Sequence, residues 1–186
     1  MNKFLKLVLA IPVLLAIAAC SSNPSTRNGG DPELDAKARA ALQQLFQEEP
    51  KARDVIRPMA KAVVVFPSVF KAGLIAGGQR GDGVMFDSEG KVLGYYRTGA
   101  LSFGMQAGAQ AYSEAIFLMT DTAIQELTSG AGLSLGVGPS FVLVDSGVAK
   151  SLTTTTLKAD VYAFIFSQEG LMAGVGVQGQ RIVKYD

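Results

Sequence analysis

Between Gly73 and Gly179 the chain carries 19 glycines in 107 residues, well above the ~7 % usual in globular proteins. Short runs with a period of two lie between them. Leu101, Phe103, Met105 and Ala107 alternate with Ser102, Gly104 and Gln106. Leu133, Leu135 and Val137 alternate with Ser134, Gly136 and Gly138, and Leu171, Ala173, Val175 and Val177 repeat the pattern. Such alternation predicts antiparallel strands whose apolar face packs on a core. Glycine on the opposite face permits sharp curvature or close approach of another backbone. The expected fold class is therefore α+β, a strongly curled antiparallel sheet or partial barrel. A lipid-facing barrel needs strands of about 9 to 11 residues with aromatic girdles, and these runs read shorter.

Two N-terminal helices and one short internal helix complete the expected fold. Asp31 followed by Pro32 is a helix start, because aspartate caps free amides and proline fits the first helical position. Leu34, Ala38, Ala41, Leu42, Leu45 and Phe46 then recur at helical spacing, and Pro50 marks the end. A second stretch, 51–60, puts Val55, Ile56 and Met59 on one side, with Pro58 as a kink. Ala62 to Phe66, Glu114 to Met119 and Val161 to Phe166 read as strands, the last with cover on both faces. Asp87-Ser88-Glu89-Gly90 reads as a hairpin turn. Thr120-Asp121-Thr122 can cap the internal helix, which turns Ile124 and Leu127 inward before Gly130. Thr153 to Thr156 is compatible with a strand or an exposed turn.

The start of the chain reads differently. Lys3 and Lys6 precede an unbroken apolar run from Leu7 to Ala19, which ends at Ile17-Ala18-Ala19-Cys20. Thirteen apolar residues have the layout of a secretory signal peptide and are short for a bilayer span. The only cysteine of the chain stands at the expected cleavage point, the pattern of a bacterial lipoprotein signal in which Cys20 is acylated. Two fatty chains anchor firmly where one does not. The expected organisation is residues 1–19 as signal peptide, 20–31 as lipidated flexible tether and 32–186 as domain. Ser21 favours the periplasmic face of an outer membrane where the source has two.

Cleavage would remove Lys3 and Lys6, leaving 15 basic against 16 acidic residues, so the balance does not point to nucleic acid. No histidine is present, which excludes histidine triads and histidine metal ligands. Gly132-Leu133-Ser134-Leu135-Gly136 matches a hydrolase elbow pattern, but Ser134 lacks the usual base and sits in a strand-like run. A serine hydrolase is the weakest alternative. Gly174 to Gly179 matches a dinucleotide fingerprint without room for the helix it requires. No cofactor or metal is implied.

Cationic positions carry the binding expectation. Arg53, Arg57 and Lys61 fall at i, i+4 and i+8, one side of a helix, with Lys51 nearby. A basic amphipathic helix can lie on anionic lipid. Gly77, Gly78, Gly81 and Gly83 surround Gln79, Arg80 and Asp82. That segment reads as a tight loop near strand ends, or as an amide nest for an anion assisted by Arg80.

The stretch from Phe66 to Met85, FPSVFKAGLIAGGQRGDGVM, resembles the SYLF family, also called the Ysc84 actin-binding domain family. Glu114 to Met119 stands at a family strand, Gly138-Pro139 at its Gly-Pro turn, and Ser167 to Val175 at its late glycine-containing segment. There Gln168-Glu169 departs from the common basic residue. The likeness covers about 34 to 180. Eukaryotic members bind phosphoinositides, and some bind actin filaments. The resemblance implies phospholipid binding by an envelope lipoprotein and brings no catalytic residues. A structural or adaptor lipoprotein that holds an envelope protein is the alternative.

Overall fold

The computed structural model describes residues 30–135, 140–144 and 151–185. Cys20, the leader, most of the tether and the Gly138-Pro139 turn lie outside them. Residues 31–186 form one compact unit.

Helix α1 spans Pro32–Glu48 and begins as its sequence dictates: Asp31 Oδ1 accepts from Leu34 N at 3.0 Å. It buries Ala38, Ala41 and Leu45. The next segment departs from expectation. Instead of an α-helix with Val55, Ile56 and Met59 inward, a π-helical turn runs from Ala52 to Ile56 and buries Ala52 and Ile56, while Met59 is exposed. Arg57 N donates to Ala52 O at 2.8 Å, five residues back. Pro58 has no N–H to continue the ladder, so the widened turn ends the helical stretch there.

Three strands dominate: β1 (Ala62–Asp87), β2 (Val92–Leu118) and β5 (Val161–Lys184), of 26, 27 and 24 residues. They are far longer than the alternating runs suggested. Short β3 (Leu133–Leu135) and β4 (Phe141–Val144) pair with β5, and α2 (Asp121–Thr128) leads into β3. The sheet order is β1-β2-β5-β3, antiparallel except for the parallel β4–β5 pair. Asp87 Oδ1 accepts from Glu89 N and Lys91 N to close the β1–β2 hairpin at the expected turn. Thr153 to Thr156 is a turn.

The sheet curls into a nearly closed, barrel-like wall. Register shifts between β1 and β2 at Phe66/Val69 and Leu74/Ala76, and between β2 and β5 at Ala111/Ser113, release the bend. The two halves of β1 then come together. A Cβ at Gly83 would lie 2.5 Å from the Phe66 ring and 2.6 Å from Val65 O. The segment around Gly77 to Gly83 is therefore not a loop. Its residues pair one by one with Tyr96 to Ser102 in the ladder, and in extended backbone successive N–H groups point to opposite edges of the strand, so they do not converge as an amide nest.

Two cores follow. Outside the wall, α1 and the π-turn cover Val63, Val65, Val84, Phe86, Phe117 and Phe164, with Phe117 and Phe164 edge to face at 5.6 Å. Inside it, Ala123 and Leu127 of α2 pack with Val64, Phe66, Met85, Tyr96, Ile116 and Leu133. The start of β5 is thus covered on both faces.

Gly83→Ala should destabilise the domain by about 1–3 kcal/mol, the cost of overpacking. Gly179→Ala, where a Cβ meets nothing within 4 Å, should be nearly neutral. Urea unfolding of the two variants checks the contrast.

Candidate functional site

The cations expected on one helix face do not share one. Lys61 lies beyond the helical stretch, next to β1. Lys51 Nζ donates to Leu152 O at 2.8 Å, and Arg53 pairs with Asp54 at 2.6 Å. Arg57 donates to Asp87 O at 2.8 Å and Ser88 O at 3.0 Å, which fastens the hairpin turn to the π-turn. Lys61 pairs with Asp121 of α2. Each serves a local contact, and Arg57 is half-withdrawn from water, which lowers its pKa from the ordinary value by desolvation.

Arg80 has a different setting. In the ladder it stands opposite Gly99 of β2, and Gly99 stands opposite Arg181 of β5. Residues in one cross-strand row share a face of the sheet, so two arginines flank a glycine. Neighbouring strands lie about 4.8 Å apart, which puts the two arginine backbones about 10 Å apart with no side chain between them. The next row is Asp82–Arg97–Val183. Arg97 pairs with Asp82 at 2.6 Å and stacks over the Tyr185 ring at 4.7 Å. Together these rows line a cleft of about 270 Å³ formed by Gln79, Arg80, Arg97, Thr98, Gly99, Arg181 and Val183. Arg181 is oriented by Ala131 O. No hydrogen bond or ion pair joins Arg80 to another described residue.

Three guanidiniums against one carboxylate make the cleft cationic. Guanidinium forks bind phosphate oxygens through paired, charge-assisted hydrogen bonds. Of this constellation the sequence reading found Arg80 alone. Arg97 and Arg181 are distant in sequence, and only the β1–β2–β5 register brings them together.

Behind the cleft, the inner face is polar. Glu114 is buried, and Gln180 Nε2 donates to its two oxygens at 3.1 and 2.8 Å and to Thr98 Oγ1 at 3.0 Å. Burial pushes the Glu114 carboxyl up to about 7, against the opposing effect of the Gln180 bond. Tyr112 donates from its hydroxyl to Gln79 Oε1 at 2.9 Å, and its phenol is raised by burial first and by the nearby Glu114 second. Thr98 and Ser102 are buried on the same face.

The hydrolase pattern stays inert in geometry. Ser134 lies in β3, paired with Arg181, rather than on a strand-to-helix turn. Gly174 to Gly179 lies inside β5 and precedes no helix. Among the described residues, no group of His, Cys, Asp or Glu gathers to hold a metal ion, and no helix is long and apolar enough to cross a membrane.

Fold and cleft together make a barrel-like wall with a cationic recess. Residues 99–186, just under half of the chain, match the sequence model of the Ysc84 family, described as Las17-binding protein actin regulator, and this match supports the SYLF family. The SYLF domain is a lipid-binding domain family rather than a known enzyme family. No curated protein matches the chain in sequence.

The buried carboxyl gives a pH test. Its folded pKa lies above the ordinary 4.5, so the native state holds a proton that the unfolded chain has already released. Stability should be greatest near pH 5, fall as pH rises, and level off above about 7, a loss of roughly 3 kcal/mol. Glu114→Gln should flatten that slope and exceed the parent at pH 8, as read from thermal midpoints at the two pH values.

Proposed function

We propose that the chain is an envelope-anchored lipoprotein whose domain binds anionic phospholipid head groups without catalysis. Acylated Cys20 is its anchor, and the periplasmic face of an outer membrane is its place. The observation that carries the reading is the Arg80–Gly99–Arg181 row, with Arg97 beside it. A phosphate seated over Gly99 meets a guanidinium on either side, and the backbone ladder has already spaced them. Membership of the matched segment in a lipid-binding family supports the same ligand class.

The site differs from the basic helix face suggested by spacing. Lys51, Arg57 and Lys61 each serve a contact within the fold away from the cleft, whereas Arg80 and Arg181 line it and are exposed, Arg181 being oriented there by Ala131 O. Head-group contact is therefore assigned to Arg80 and Arg181, with Arg97 as the inner cation.

Flotation of residues 31–186 with vesicles tests this. Capture on phosphatidylglycerol-containing vesicles should exceed capture on phosphatidylcholine alone and weaken with salt. Arg80→Glu with Arg181→Glu should weaken anionic capture at least about tenfold, the loss of one or two charge-assisted bonds. Gly99→Val should act similarly without lowering stability. The nearest described atom to a Cβ there is Gln79 O at 3.9 Å, and valine suits a strand while its methyls fill the gap. Unchanged capture by these folded variants would refute the reading. Failure on both lipids together with specific retention of one envelope protein would favour the adaptor alternative.

A further inference from the structure

The polarity of the long strands is reversed over their middle portions. Leu101 and Phe103 were expected to face a core, yet they are 68 % and 64 % exposed. Ser102 between them is 2 % exposed and points inward. The register extends this inversion across three strands. Gly78–Leu101–Gly179, Ala76–Phe103, Leu74–Ala107, Ala72–Ala109–Leu171 and Phe70–Ala111–Glu169 are rows on the outer face. Phe70, Leu74 and Leu171 stand out from it at 57 %, 74 % and 88 % exposure. Ile75, 76 % exposed, sits in the bulge of β1 with φ at 64°, a backbone angle that a β-branched residue adopts only under strain. On the inner face lie Ser102, Thr98, Gln180 and Glu114.

Outside the membrane, a wall that is apolar outward and polar inward is unfavourable, because each large exposed side chain forgoes burial. In lipid it is the arrangement expected of a strand wall. The apolar rows also stop at a definite line. The row that follows Gly78–Leu101–Gly179 is the Arg80–Gly99–Arg181 row. At about 3.3 Å per residue, the arginines lie about 7 Å along the strands from Leu101. That offset matches a side chain among acyl carbons and a cation at the phosphates, since interfacial elements bury their apolar face about 5–10 Å into the head-group boundary.

We propose that the outer face of the bent β1–β2–β5 wall, carrying Leu74, Leu101, Phe103 and Leu171, enters the acyl layer of a phospholipid monolayer, with Arg80 and Arg181 as its phosphate-level collar. The proposal rests on the lipid-binding reading and adds depth and orientation to it. Charge complementarity favours lipid over a second copy of the chain: the Arg80–Gly99–Arg181 row at the edge of the apolar rows is set to meet the phosphates of an anionic monolayer.

The chain has no tryptophan, so one introduced indole reports one position. The full chain, carrying Phe103→Trp, Leu171→Trp or, as a control, Thr155→Trp in an exposed turn, is reconstituted on phosphatidylcholine–phosphatidylglycerol vesicles. Phe103→Trp and Leu171→Trp should shift their emission to shorter wavelength and lose most of it when the lipids are brominated on upper acyl carbons. Thr155→Trp should do neither. Solvent-like emission from both wall positions in vesicle-bound protein would overturn the proposal. So would the same blue shift in residues 31–186, which lack Cys20, if it grew with protein concentration in lipid-free solution, since it would assign the face to a second copy. Because the anchor holds every variant on the vesicle, this readout is separate from the arginine-dependent capture of residues 31–186. Insertion can fail while head-group binding stands, and the reverse outcome is equally visible.

Discussion

The Phe66 ring fills the volume that a side chain at position 83 would occupy. That contact decides the shape of the molecule. A strand of 26 residues would otherwise extend far beyond any core this chain can supply. Because Gly83 and Gly81 present no Cβ, the second half of β1 lies against Phe66 and Val69 of the first, and the sheet becomes a nearly closed wall. β2, paired with β1, and β5, paired with β2, follow the same bend. The helices then have distinct tasks: α1 seals the outside where both halves of β1 contribute apolar residues, and α2 fills the inside.

Closure also divides the wall by polarity. Where helices cover it, the outward face is apolar and dry. Away from them, the outward face is still apolar, while the inner face collects Glu114, Gln180, Thr98 and Ser102. The buried carboxyl has no cation beside it among the described residues, and its hydrogen-bond partner is an amide. A protonated or half-protonated acid is the form that such surroundings tolerate. The arginines sit on the opposite face, at the edge of the apolar rows, so the two kinds of polar group serve different sides of one thin wall.

Local features were legible where one interaction decides them. Asp31 and Thr120 cap the helices expected of them, and Asp87 closes its turn. Alternation correctly marked strands, but it cannot say which face is inside. Leu133 points inward as expected, whereas Leu101, Phe103 and Leu171 point out. Glycine between Gly77 and Gly83 suggested a loop, because close backbone approach and turn formation leave the same mark in a sequence. Helical spacing grouped Arg53, Arg57 and Lys61, but Pro58 and the π-turn dispersed them. The arginine cleft needs a register between three strands, and no local pattern encodes it; a signal existed only in Arg80 and Arg181 each standing one alternation step beyond a glycine.

β5, residues 161–184, is the last of the described strands, and its ladder runs along nearly the whole of β2. It also supplies Val161, Ala163 and Ile182 to the inner core. Until it arrives, the β1–β2 hairpin has an unpaired inner edge and α2 has little to pack upon. Such distant pairing makes folding slow. Closure of the wall therefore waits for residues 161–184, however early the β1–β2 hairpin forms.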